Sequence, residues 1–215
     1  MRKLIGLTGV SAVLVLFANA EAKPMYAGLK GGVNIATLSG NGTEGLDSRN
    51  GFSGGAFWGM GFSERYGVRV EGLYVQKGAE GPFVIPGDDH AHDSIIKLDY
   101  IELPVLFTAG FPTGDKLAFN IFAGPTFAFN NTAEVEVPGH NETVDLTEGD
   151  VTIESFEFGA AVGGGVEYML SSFALVLDVR YSMGVSKLVD VSGAPDNKNQ
   201  GIGVMAGVQF PFGAE

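Results

Sequence analysis

The chain of 215 residues contains no cysteine, so it can form neither a disulfide framework nor a thiolate centre. With only three histidines, any zinc site would have to use histidine and carboxylate ligands. Basic residues are also scarce: 13 Lys and Arg stand against 25 Asp and Glu, which gives a formal net charge of −12. Because phosphate binding needs clustered Lys and Arg, this composition argues against a nucleic-acid partner.

Long apolar runs are missing after residue 22, where no stretch approaches the roughly 18 residues that a membrane-spanning helix needs. Residues 1–22 have the parts of a secretory signal peptide instead. Arg2 and Lys3 come first, an apolar run follows, and small residues offer cleavage after Ala20 or Ala22. The alternative is a buried first helix. We therefore expect a signal peptide over residues 1–22 and a single domain over residues 23–215.

The apolar residues of the exported part follow a period of two. The clearest example is a pair of alternating segments, residues 156–169 and 173–185, joined by three residues. Alternation over about a dozen residues predicts long strands, and the short joint predicts a hairpin. One face of this hairpin carries Phe, Leu, Val and Tyr, whereas the other carries mostly Gly, Ala and Ser. The apolar face suits lipid, and small residues suit the narrow lumen of a barrel of about eight strands.

Eight segments share this pattern: residues 27–38, 51–62, 66–78, 95–110, 117–130, 156–169, 173–185 and 201–212. Their connections alternate between short ones (63–65, 112–116, 170–172) and long polar ones (39–50, 79–94, 131–155, 186–200). This rhythm predicts an all-β fold, an eight-stranded antiparallel up-and-down transmembrane β-barrel with short periplasmic turns and long external loops. We expect it in the outer membrane of a Gram-negative bacterium, with a soluble secreted β-barrel as the alternative. Pro104 and Pro125 lie inside strands and predict local bulges there.

Charged residues are rare on the inward face and lie near the middle of the strands. Lys30 and Lys77 are on this face, and the charges that lie roughly in mid-strand are Arg69, Glu71, Glu102, Asp178 and Arg180. In a narrow lumen such groups should pair, because an unpaired buried charge is costly. We interpret them as a structural polar network; a gated path for protons or small ions is the alternative.

Catalytic chemistry has little support in the sequence. The histidines, His90, His92 and His140, all fall in long loops, so no inward Ser or Asp has a neighbouring base. The acidic segment around residues 88–93 lacks the fixed spacing of a metal site. We therefore predict no catalytic, cofactor-binding or metal site, although a membrane-embedded lipid enzyme remains a hypothesis that an assay could revive.

Several strands together resemble the PorT-like outer-membrane β-barrel proteins of Bacteroidetes-type bacteria. The segments that carry the resemblance are residues 28–36, 66–78, 100–106, 122–125 and 178–184, and the similarity extends over residues 25–213. It implies an eight-stranded barrel in the outer membrane without enzyme activity. Some members of that family are linked to protein secretion, so a secretion accessory is an alternative to a structural role.

The last strand resembles the signal that the barrel-assembly machinery recognises. Gly207, Phe210 and Phe212 occupy the glycine and the apolar or aromatic positions of that signal, whereas Met205 stands where a polar residue is usual. The resemblance implies outer-membrane lipid and the assembly machinery as partners. We further expect a protein partner at the external loops, because loops on a rigid scaffold commonly carry function. A narrow channel is the alternative.

Overall fold

The computed structural model describes residues 24–40, 43, 45–84, 91–138, 142–145, 154–186 and 197–213. These residues form nine strands: β1 (Met25–Ser39), β2 (Asp47–Gly61), β3 (Tyr66–Val84), β4 (Ala91–Thr113), β5 (Leu117–Val137), β6 (Glu142–Asp145), β7 (Phe156–Met169), β8 (Ala174–Gly184) and β9 (Lys198–Phe212). In this part of the chain no helix is long and apolar enough to cross a membrane. The predicted signal peptide lies outside the described residues.

Eight of the strands close into a ring by antiparallel pairing. Strands β1 to β5 are neighbours in chain order around the ring. Strand β5 then pairs with β7, β7 with β8, and β8 with β9. The ring closes where β1 pairs with β9, from Met25 opposite Phe212 to Ser39 opposite Lys198. The ninth strand, β6, pairs only with the external end of β5. The predicted eight-stranded up-and-down barrel is thus confirmed.

The two faces of the wall differ as the alternation predicts. On the outside, Leu29, Ile121 and Val162 are 63%, 56% and 54% exposed, although they are large and apolar. Their neighbours along the chain, such as Lys30 and Ala161, are buried in the lumen. A continuous outward apolar surface of this kind is the surface that lipid covers in a transmembrane barrel.

Outward aromatic rings gather near both ends of the wall. Towards the short turns, the ring of Phe107 lies 5.7 Å from that of Tyr66 and 5.8 Å from that of Phe62. Towards the long loops, the rings of Phe129 and Phe156 lie 5.4 Å apart. These rings correspond to the aromatic belts expected where a barrel wall meets the two membrane interfaces.

Five strands are at least three residues longer at their external ends than the sequence predicts, and β2 and β9 among them begin at Asp47 and Lys198. Strand β3 continues to Val84, β4 begins at Ala91 and β5 continues to Val137, so the predicted loops 79–94 and 131–155 are partly strand. The short strand β6 was also missed. The cause is visible in residues 132–137, where Ala and Val alternate with Thr and Glu. Their charged face is typical of a loop, but a strand above the membrane can expose polar side chains to water.

The bulges predicted at the two strand prolines are absent. Between β4 and β5 the register is the same on both sides of Pro104, and Pro125 lies opposite Ala160 in an unbroken register with β7. Pairings around Pro125 are missing from the β4–β5 ladder, but no extra residue is inserted there. Proline lacks an N–H group, so it removes one ladder hydrogen bond without requiring an extra residue. The register shifts instead at Asp99 and Tyr100, and between Ser48 and Ser53.

Glycine is abundant on the inward face because large side chains fill the lumen beside it. A Cβ on Gly163 would lie 2.6 Å from the ring of Phe122, and a Cβ on Gly59 would lie 2.2 Å from the ring of Tyr26. Large side chains that pack closely against glycine residues fill the lumen of an eight-stranded barrel.

Candidate functional site

The periplasmic half of the lumen holds five charged side chains, which we call the lower cluster: Lys30, Arg69, Glu71, Asp178 and Arg180. Glu71 is their centre. Its carboxylate lies 2.7 Å from Lys30 Nζ, 2.8 Å from Arg69 Nε and 2.7 Å from Arg180 Nη2. Asp178 adds contacts of 2.8 Å to Lys30 and 3.0 Å to Arg69, with Arg180 at 3.9 Å. All five side chains are almost completely buried.

Two aromatic rings enclose the cations of the lower cluster. The Arg69 guanidinium carbon lies 4.5 Å from the centre of the Phe122 ring, and Lys30 Nζ lies 5.3 Å from that of Phe57. The face of an aromatic ring attracts a cation. Unlike a bound water molecule, a packed ring does not exchange with the solvent. The rings therefore compensate in part for the solvation that the buried cations lack.

An upper cluster lies nearer the external end of the lumen and consists of Lys77, Tyr100, Glu102, Glu157 and Asn199. Lys77 Nζ lies 2.9 Å from Glu102 and 2.8 Å from Glu157, and it sits 4.9 Å from the centre of the Tyr100 ring. Asn199 donates hydrogen bonds to Glu157 and, at 3.2 Å, to the Tyr100 hydroxyl. One cation thus bridges two carboxylates, and an amide and a phenol complete the cluster.

The two clusters differ in formal charge. The lower cluster has three cations and two carboxylates, whereas the upper has one cation and two carboxylates. Below the lower cluster lies Glu167, which accepts hydrogen bonds from Asn120 at 3.0 Å and Gln209 at 3.4 Å. With Glu167 included, the periplasmic half contains three charges of each sign.

The structure brings four of the five predicted lumen residues into one cluster and places Glu102 in the other. Sequence reasoning omitted Lys30, Lys77 and Glu157 from the network. All three lie on the inward face by the same alternation that selected the other residues, so that signal was sufficient to find them. What the alternation could not supply is which strands face one another across the lumen.

Space inside the barrel is small and divided. A cavity of about 20 Å³ lies between the two clusters, where it contacts Arg180 from below and Lys77 from above. A wider cavity of about 170 Å³ opens at the periplasmic end beside Tyr26, Arg69 and Glu167. The clusters therefore occupy the cross-section that a conducting bore would need.

A third polar group lies near the external end of the wall and includes the buried side chains of Arg49 and Asp99. Arg49 approaches Asp99 to 3.2 Å, and the hydroxyl of Tyr74, an outward residue, donates a hydrogen bond of 2.6 Å to the same carboxylate. Lys97 pairs with Glu136 further out. These side chains indicate where the apolar belt ends and water or headgroups begin.

The residues of the assembly-signal resemblance lie on the closing strand. Phe210 and Phe212 are 53% and 44% exposed on the outer surface, and the Phe210 ring lies 6.0 Å from that of Phe173. A Cβ on Gly207 would lie 2.7 Å from Lys30 Cβ. Packing against Lys30 therefore requires glycine at this position independently of any signal.

The described residues contain no group of three His, Cys, Asp or Glu side chains placed to hold a metal ion. Of the three histidines, His92 lies on β4, at the external end, whereas His90 and His140 fall outside the described residues. The arrangement of the described lumen is that of packed ion pairs.

Comparison with family models matches residues 17–190 to the outer membrane protein beta-barrel domain. Curated protein sequences give no match. Among solved structures, Neisserial surface protein A (NspA) has a TM-score of 0.52 at 17% identity, covering 87% of this chain and 97% of its own. Ail, the attachment invasion locus protein of Yersinia pestis, has a TM-score of 0.42 at 19% identity, covering 86% and 98%. At such identities the likeness to NspA shows the fold alone. The family match spans most of the chain, and the protein therefore belongs to the outer membrane protein beta-barrel domain family, in the outer membrane of a Gram-negative bacterium.

Proposed function

We propose that the protein is a non-catalytic, non-conducting barrel that presents a raised external surface to another macromolecule. The unequal height of its wall carries this proposal. Strand β8 has 11 residues, close to the 9–11 that cross a bilayer, whereas β4 has 23 and β5 has 21. About ten extra residues, at about 3.3 Å each and tilted by about 40°, raise this side by roughly 25 Å. We call residues 79–84, 91–99 and 132–137, with β6, the external extension.

The charge of the external extension suggests the kind of partner. The segments 79–94 and 131–155 contain four and seven carboxylate residues respectively and neither Lys nor Arg. Lys97, which belongs to the external extension on β4, is already paired with Glu136. Because complementary potentials favour association, a partner with a basic contact surface is expected. Its binding should weaken as salt screens the charges.

A hairpin truncation tests the role of the extension. Gly81 lies opposite Ser94, so residues 82–93 can be replaced by the two-residue turn Asn-Gly without changing the register. Proteins crosslinked to the barrel in intact cells would be compared between wild type and this variant. We expect the partner to be lost while the barrel remains folded. A matched control removes residues 187–196, which connect the shorter strands β8 and β9. An unchanged set of crosslinked proteins in the hairpin variant would contradict the proposal.

The absence of conduction is a separate part of the proposal, supported by the two clusters that occupy the lumen. In planar bilayers the purified barrel should give no resolved current steps. Steps of stable size would instead support the narrow-channel alternative.

Incubation with phospholipid tests the non-catalytic role, and lipid hydrolysis by pure protein would contradict it.

A secretion-accessory role of the PorT-like kind is the second candidate, supported by the resemblance in residues 66–78 and 100–106. Deleting the gene and comparing the secreted proteins tests it, because loss of a defined set of secreted proteins would favour this role.

We also propose that residues 1–22 are removed on export and that the assembly machinery recognises Gly207, Phe210 and Phe212. The intact mass of the purified protein would show cleavage after Ala20 or Ala22.

A further inference from the structure

The small cavity between the clusters lies where Arg180 of the lower cluster faces Lys77 and Glu102 of the upper. Its volume is about 20 Å³, and Ser182 and Asn199 complete the polar part of its wall. A single water molecule needs roughly 10–15 Å³ of such space, so the cavity accommodates one water.

Two residues that line the cavity have buried polar atoms without hydrogen-bond partners. Arg180 is only 4% exposed, yet its Nε and Nη1 donate to no atom. Asn199 is 1% exposed, and its Oδ1 accepts no hydrogen bond. Buried polar atoms are rarely left unpaired, because each has lost its hydration without a replacement. A hydrogen-bonding ligand would therefore be stabilised here.

The residues that line this space include both hydrogen-bond donors and hydrogen-bond acceptors. This mixture indicates the chemical class of the ligand. A halide ion would use the Arg180 donors but would be repelled by the Glu102 carboxylate. A metal cation would use the Glu102 and Asn199 oxygens but would be repelled by Arg180 and Lys77. Water both donates and accepts, and it carries no charge. We propose that one ordered water molecule occupies the cavity and joins the lower and upper clusters into a continuous hydrogen-bonded column.

A crystal structure of the barrel at a resolution that shows ordered water tests the site directly. We expect one peak within about 3.2 Å of Arg180 Nη1 or Nε and of an acceptor on the upper cluster. An empty cavity in a well-ordered lumen would overturn the proposal. Crystals soaked in bromide supply the second arm, since anomalous signal at this position would identify an anion site instead.

The substitution Ser182→Thr tests the same claim in solution, because it keeps the hydroxyl and adds a methyl group to the cavity wall. If water is bound there, displacing it leaves Arg180 unpaired, and the midpoint of heat unfolding should fall by a few degrees. If the cavity is empty, filling it should raise the midpoint. Ser48→Thr, at an exposed position in β2, measures the general effect of threonine in a strand. A midpoint for Ser182→Thr at or above that of Ser48→Thr would overturn the proposal.

Discussion

Replacing Glu71 by glutamine should destabilise the barrel more than any other single neutralisation in the lower cluster. Glu71 makes short contacts with all three cations, whereas Asp178 makes two and lies 3.9 Å from Arg180. Glutamine preserves the shape but leaves three buried cations beside one carboxylate. Removing one partner of a buried ion pair costs about 3–5 kcal/mol. At about 2–4 °C per kcal/mol for a domain of this size, the unfolding midpoint should fall by about 6–20 °C.

The assay follows the loss of the folded, fast-migrating species on gels as the temperature rises. Glu80→Gln, an exposed position on the same strand, is the matched control and should leave the midpoint unchanged. Arg180→Leu should lower the midpoint by less than Glu71→Gln, since Lys30 and Arg69 then still balance the two carboxylates. Equal midpoints for Glu71→Gln and wild type, or a larger effect of Arg180→Leu, would refute a cluster centred on Glu71.

Two further predictions concern packing and assembly. Gly163→Ala should lower the midpoint by several degrees, because its Cβ would lie 2.3 Å from the backbone oxygen of Val179, and overpacking costs about 1–3 kcal/mol. Gly72→Ala is the comparison: its Cβ would meet only Leu103, at 4.0 Å, so the midpoint should stay constant or rise slightly. Truncation before Phe212 should reduce the amount of folded barrel in the outer membrane of cells. Folding of the purified truncated chain in detergent should be reduced less. An equal loss of folded protein in cells and in detergent would indicate that Phe212 has a packing role alone.

Much of the fold was predictable because a membrane barrel repeats one simple rule. Every strand that crosses the membrane must turn apolar residues outward, so the period of two is strong in residues 156–185 and in the first and last strands of the chain. The external ends of β3, β4 and β5 escaped prediction because water surrounds them there. Once the outer face is polar, an extended strand such as residues 132–137 looks like an acidic loop.

The lumen was predictable in composition but not in pairing. Alternation places Glu71 and Asp178 on the inward face, but it does not show that they share Arg69 and Lys30 across the barrel. Lys30 of β1 reaches Glu71 of β3 through the lumen, past the intervening strand β2, and that contact depends on the curvature of the ring and on the stagger of its strands. Alternation therefore predicts that Lys30 points inward but does not assign it to the network.

The lipid-facing outer wall is the central claim, and the only tryptophan reports on it directly. Trp58 lies on the outer face of β2 and is 40% exposed. With the barrel in vesicles, fluorescence of Trp58 should be quenched increasingly as lipids with brominated acyl chains replace ordinary lipids, whereas iodide in the water should quench it little. Strong quenching by iodide with no effect of the brominated lipids would contradict a wall that faces hydrocarbon.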